Sequence, residues 1–276
     1  MPIIMDLNAE AAKLTMFRGL TPRTKRVERK GSSTQLADYC DGLLLLGKSA
    51  GTGHWETHPE DELVWVLDGT ATLDILQEDG PRSFKLGAGM VAVVPPTVWH
   101  RFHSAEGKTS MSLVVPGENI DVDADDPRTG KPDLDLGDTT RAPSIIDLNA
   151  ELAKLTMFRG RTPQTTFAER KGSAALLAPY RDGFLLVSRY AGTTHWETHP
   201  ADELVYIVDG TETLDIVEGD RLQSYALGAG MMAIVPPGTW HRFHSVDGAT
   251  SFNVTLPSEH VDLDVDDPRQ VARTPA

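Results

Sequence analysis

GTGHWETHPEDELV at residues 51–64 decides the reading of this chain, and it returns as GTTHWETHPADELV at residues 192–205. Each copy carries Glu-x-His-x3-Glu: Glu56, His58 and Glu62, then Glu197, His199 and Glu203. Side chains alternate along a strand, so Glu56 and His58 project from one face. Glu62 lies past Pro59, where a short loop can reset its phase. PPxxWHRFHS at residues 95–104 recurs in closely similar form at 236–245 and adds His100 and His241 from a separate strand-like segment. Neutral imidazoles and carboxylates aimed at one point form a nitrogen and oxygen ligand set for a divalent metal. Left unpaired in a barrel, four such groups would be costly to bury.

The whole chain repeats in this way. Residues 4–128 align without a gap on residues 145–269, an offset of 141. LGAGM returns at 86–90 and 227–231, and DDPR at 125–128 and 266–269. The period far exceeds the ~20–50 residues of solenoid repeats and suits one small domain. Two copies of one domain are expected at residues 1–120 and 144–265, joined by an acidic linker at 121–143 and followed by a tail at 266–276. A duplicated domain begins with a self-complementary interface, so an intramolecular pseudo-dimer is expected, with further homo-oligomerisation open.

Composition narrows the function. The net charge of −14 over 276 residues argues against a nucleic-acid backbone as partner. Much of the acid lies in residues 121–138 and 262–267, read as solvated linker and tail. The Asp-x-Asp-x-Asp run there lacks the glycine and closing glutamate of a calcium loop. The single cysteine, Cys40, is replaced by Arg181 in the second copy, which excludes an internal disulfide. A reducing, cytoplasmic setting follows as the expectation. No basic leader with an apolar core opens the chain, and no apolar run nears the ~20 residues of a membrane span.

Within one copy, residues 6–19 read as a short helix with Asn8 as N-cap and Gly19 closing it. Residues 42–47 read as a buried strand. Asp68-Gly69 is a hairpin signal between strands at 62–67 and 70–77. Strands follow at 90–94, 99–104 and 110–115, with Pro95-Pro96 as a break. Many short strands with Gly and Pro turns argue for an all-β sandwich or barrel.

At these motifs the chain resembles a two-domain member of the cupin superfamily. The first cupin motif runs His-x-His, three or four residues, Glu, six residues, Gly; residues 56–69 and 197–210 fit it apart from their first position. The second runs Gly, five residues, Pro-x-Gly, two residues, His. Gly230, Pro236, Gly238 and His241 match it in full, while the first copy departs at Thr97. The resemblance implies tandem jelly-roll (double-stranded β-helix) barrels with short N-terminal helical segments in each repeat. Both copies place Glu56 and Glu197 where the family usually has its first histidine, and histidines stand two residues earlier, at His54 and His195. Three arrangements stay open: Glu56 ligates; Glu56 swings away; or a bulge brings His54 inward.

The resemblance implies a divalent metal in each domain. Two carboxylates favour Fe(II) or Mn(II), with Zn(II), Ni(II) or Co(II) also compatible. Glu56, Glu62, Glu197 and Glu203 double as candidate catalytic groups. His54, Phe102, His195 and Phe243 are candidates for the substrate pocket. His103 and His244, and the tryptophans 55, 99, 196 and 240, fall out of phase with the ligands. Arg101 and Arg242 are expected on the solvated surface. A metal-dependent enzyme acting on a small organic molecule follows, a non-haem dioxygenase first. The alternatives are a metal-dependent isomerase, decarboxylase or lyase, or a non-catalytic metal-dependent binding protein.

Overall fold

The computed structural model describes residues 1–219, 221–255, 259–261, 265 and 267–268. It comprises two compact units, residues 9–150 and residues 1–8 with 151–276. Each is built almost wholly of antiparallel strands.

In the first unit the strands run in the order Glu118–Ile120, Trp55–Thr57, His100–Val114, Glu62–Gln77, Met90–Val94 and Ser144–Asp147. Gly42–Thr52 pairs with the other side of His100–Val114 and carries Ser33–Tyr39 and Phe17–Leu20. Leu44 and Leu46 are fully buried on one face of Gly42–Thr52, and Leu43 and Leu45 line a cavity on the other. Burial on both faces explains why this strand reads as a continuous apolar run. Val66, Leu73, Ile75, Leu86, Ala92 and Val94 form the core between the long strands. In the second unit Val205, Ile207, Leu214, Ile216, Leu227 and Ala233 repeat that cluster.

The units and the repeats differ at their first strand. Ser144–Asp147, which opens the second repeat, pairs antiparallel with Met90–Val94 in the first unit. Ile3–Asp6, which opens the first repeat, pairs with Met231–Val235 in the second unit. Each unit thus completes its sheet with a strand from the other repeat, which covers an edge that would otherwise expose unpaired backbone groups. Among the described residues the α-helices are Leu7–Ala12 and Leu148–Ala153. In the second, Asp147 Oδ1 accepts from the Ala150 N–H at 3.0 Å, so the cap is the aspartate ending the strand, not the asparagine two residues on.

Asp68-Gly69 makes no hairpin. Glu62–Gln77 is one 16-residue strand, and its register with His100–Val114 shifts at Val66/Asp68 and again at Gly69/Thr72. Gly69 has φ 80°, and a Cβ there would meet the Gly107 carbonyl at 2.2 Å. The signal marks a β-bulge that bends the strand. The hairpin comes later, where Gln77 pairs with Gly80. The strands expected at 99–104 and 110–115 are likewise one strand, His100–Val114.

The acidic linker is exposed at most of its aspartates but fixed to the barrel at several points. Leu134 and Ile120 pack on Trp55, Leu76 and Trp99. Trp55 donates its indole N–H to the Ala124 carbonyl at 3.2 Å, and Trp99 donates to the Asp135 carbonyl at 2.6 Å. Of the tail at 266–276 only residues 267 and 268 are described. No helix among the described residues is long and apolar enough to cross a membrane.

Candidate metal centres

Glu56 sits on the three-residue strand Trp55–Thr57, whose middle residue pairs directly with His100. Glu197 pairs with His241 in the same way. Directly opposed residues hold their Cβ atoms about 4.5–5.5 Å apart, which brings a carboxylate and an imidazole together without any loop contribution. His58 follows on the bend after that strand, and Glu62 opens the long strand opposite Val94. The turn at 95–97 is tied to the ligand loop, since the Thr97 N–H donates to the His58 carbonyl at 2.8 Å. Gly238 makes the same bond to His199.

The donor atoms of Glu56, His58, Glu62 and His100 all lie within 4.8 Å of one another, as do those of Glu197, His199, Glu203 and His241. His100 Nε2 is 2.9 Å from Glu62 Oε2, and His58 Nε2 is 3.8 Å from Glu62 and 3.9 Å from Glu56. The second set repeats this at 2.9, 3.6 and 3.9 Å, with His241 Nε2 4.0 Å from Glu197. Ligands about 2.0–2.2 Å from one ion lie roughly 3–4 Å from each other. His58 is buried, yet neither of its ring nitrogens has a hydrogen-bond partner. An orphaned imidazole facing two carboxylates beyond hydrogen-bond reach fits a shared cation. The backbone sets the tautomer of its neighbour: His100 Nδ1 donates to the Val98 carbonyl at 2.9 Å, which turns Nε2 toward the cluster. His241 does the same with Thr239.

Glu56 and Glu197 stand inside their clusters, and the preceding histidines stand behind them. His54 Nε2 is 3.0 Å from Glu56 Oε2, and His195 Nε2 is 3.3 Å from Glu197 Oε2. Burial opposes ionisation of Glu56, but the His54 hydrogen bond and the neighbouring imidazoles outweigh it and hold the carboxyl down at about 2. Glu197 is held at about 2 for the same reasons, with His195 as partner. The same contact raises His54, against the opposing pull of burial. Burial also works against the charged form of His100, and its bond to Glu62 with the nearby carboxylates raises it nonetheless.

Phe102 and Phe243 line their cavities and set their ring edges against His100 and His241, with centroids 5.9 and 5.8 Å apart. His103 and His244 point instead toward Asp74 and Asp215, at 3.5 and 3.9 Å. Arg101 is not on the solvated surface. It is buried, pairs with Asp74 at 2.9 Å and Asp125 at 3.0 Å, and lies 4.9 Å over the Trp55 ring. Arg242 is three-quarters or more covered and does the same with Asp215 and Trp196. A buried acid, Asp74 or Asp215, draws the guanidinium in.

The cavities hold further charged groups that the motif reading passes over. Lys108 and Arg29 line the first, of about 350 Å³. Arg161, Arg170, Tyr190 and Glu212 line the second, of about 120 Å³. Burial is the main cause that pushes Glu212 up to about 7. All but Arg29 and Arg170 differ from their partner in the other repeat (Lys108/Ala249, Leu20/Arg161, Ser49/Tyr190, Ala71/Glu212). A charge change inside otherwise matching segments was the signal available in the sequence.

Two antiparallel β-barrel units, each with a two-histidine, two-glutamate cluster at a cavity, define a tandem-barrel protein with a divalent-metal site in each half. The chain belongs to the cupin family: the cupin domain profile matches residues 42–116 and 187–254, more than half of its length. Comparison with curated proteins finds no match. Among solved structures the chain is similar to oxalate decarboxylase from Bacillus subtilis at pH 4.6. The match has 12% identity and a TM-score of 0.49, over 88% of this chain and 75% of that one. A second structure of that enzyme, described for its Mn(II) centres, matches at 13% identity and a TM-score of 0.48, over 88% and 76%.

Proposed function

We propose that the chain is a metal-dependent enzyme acting on a small organic anion by redox-neutral chemistry, of the decarboxylase, lyase or isomerase class. The observation that carries this reading is the charge of the first cavity. It joins the ligand cluster to Lys108 and Arg29, and among the described residues neither cation pairs with a carboxylate. A pocket of about 350 Å³ with a few convergent polar groups suits a small ligand, and unmatched cations select a negative one.

The ligands would be Glu56, His58, Glu62 and His100 in one barrel and Glu197, His199, Glu203 and His241 in the other. Hard oxygen donors favour Mn(II) or Fe(II). A bound ion of this kind supplies Lewis acidity to a chelated carbonyl or carboxylate oxygen. His54 and His195 hold the two outer carboxylates in place. A carboxyl at about 2 is too weak a base for efficient proton abstraction near neutrality, so Glu56 serves as ligand rather than as general base. Phe102 shields the cluster from water on its flank. The open-faced sites of non-haem oxygenases use two histidines and one carboxylate. A fourth protein ligand leaves less room for substrate and dioxygen together, which places dioxygenase chemistry second.

The test loads the chain with Mn(II) or Fe(II) and offers oxalate, 2-oxo acids, 3-oxo acids, 1,3-diketones and catechols. Carbon dioxide release or isomerisation under nitrogen supports the proposal. Turnover only with matching oxygen uptake replaces it with the dioxygenase. Tight binding without turnover of any compound leaves a binding protein.

A further inference from the structure

The two barrels share four ligand residues but not the walls around them. In the first, Lys108 extends along the cavity wall. Its ammonium donates to Ser110 Oγ at 2.6 Å and lies 5.2 Å over the Phe102 ring, whose edge meets His100. The hydroxyl is neutral, so the lysine keeps its full charge for a ligand. In the second, the corresponding Ala249 is buried and offers nothing. There Arg161 is stacked 4.4 Å over Tyr190, and Glu212 stands in the apolar cluster where the first barrel has Ala71. These side chains fill the space, leaving about 120 Å³ against about 350 Å³. Glu212 lines the same cavity as Arg161 and Arg170, and its carboxyl disfavours an incoming anion there.

We propose that Lys108 confines organic-anion binding to the first barrel, where its ammonium pairs with the carboxylate of a ligand whose other oxygens reach the Glu56–His58–Glu62–His100 cluster. The second barrel holds a metal without taking that ligand. This rests on the small-anion reading above and sharpens it: Lys108 is the specificity-determining residue, and the duplicated sites have divided roles.

Malonate is the probe, titrated calorimetrically into the Mn(II)-loaded chain. Two half-site variants separate the barrels: His199→Ala with His241→Ala keeps the first site, and His58→Ala with His100→Ala keeps the second. Elemental analysis counts the ions, one per chain expected in each. Malonate is expected to bind only where the first site survives. Lys108→Met should weaken it by about tenfold or more, the worth of a hydrogen bond to a charged group, with bound manganese unchanged. Lys108→Arg, which keeps the charge, should restore most of that affinity. Equal binding by the two half-site variants, or unchanged affinity in Lys108→Met, overturns the division while leaving the small-anion reading intact. Malonate and pyruvate both failing to bind either half overturns both.

Discussion

His54 Nε2 lies 3.0 Å from Glu56 Oε2, so this histidine stands behind the carboxylate and outside the four-residue cluster that Glu56 joins. Partners that orient a ligand from behind typically contribute 10–100-fold in metal affinity. His54→Ala is therefore expected to weaken manganese binding at the first site by about that factor, with circular dichroism unchanged. Competition with a metallochromic chelator measures it. Binding that survives intact would mean Glu56 needs no such support.

Metal removal should destabilise both barrels. Without an ion, each cluster holds two carboxylates and two imidazoles close together, and in the first cluster the buried His58 ring has no hydrogen-bond partner. An ion held at a hundred times its dissociation constant contributes about 2.7 kcal/mol per site. Chelation is expected to lower the melting temperature by several degrees, and added Mn(II) to restore it. His58→Ala should drop bound metal from two ions per chain to one. Loss of both would contradict independent sites.

Thr97 holds φ 63° where the second repeat has Gly238 at φ 67°. A β-branched residue is strained there, by roughly 1–2 kcal/mol, and glycine is not. Thr97→Gly returns part of that, less the entropy glycine loses on folding, so a gain of about 0.5–1 kcal/mol is expected. Gly238→Thr should cost a similar amount. Urea denaturation of both variants checks the pair, and a loss of stability in Thr97→Gly would show that the turn tolerates the threonine.

The clustering of Glu56, His58, Glu62 and His100 is legible because the motif alternates with strand period and appears twice. The placement of Glu56 inside its cluster needed the pairing with His100, which no spacing along the chain discloses. Asp68-Gly69 misled because a left-handed glycine serves a bulge as well as a hairpin, and only the neighbouring strand with Gly107 distinguishes them. Arg101 reads as exposed in the sequence because its partners lie 27 and 24 residues away. Lys108 differs from its counterpart Ala249, but a single difference on a barrel wall has no spacing that ties it to the cluster.

Arg101 gives a prediction of its own. Its removal leaves Asp74 buried with Ser83 and His103 as remaining neighbours. Breaking a buried pair from one side costs about 3–5 kcal/mol, and those neighbours place the expected loss for Arg101→Met near the lower end. The variant also unties Ala124 and Asp125, so limited proteolysis should cut within residues 121–143 sooner. Arg101→Met with Asp74→Asn should regain much of the stability. No recovery in the double variant would show that the arginine acts through its contact with Trp55.

Lys108 couples ligand binding to pH. Burial is the main cause that pushes its ammonium down from 10.5 to about 8; Glu62 and Glu56 pull it up, and Arg29 adds to the lowering. Only the protonated form pairs with an anion. Malonate affinity should therefore hold at pH 7, fall as pH rises through about 8, and level off near that of Lys108→Met. Lys108→Arg stays charged over this range and should show no such fall, and Lys108→Met should be weak and flat. Stability should move the other way. Between about 8 and 10.5 the unfolded chain keeps a proton on this lysine that the folded chain has lost, so the folded state gains on the unfolded as pH rises. Subtracting the Lys108→Met stability curve from the parent's isolates that slope. A difference that is flat across the window would mean the lysine escapes to solvent, and its role in the cavity would fall with it.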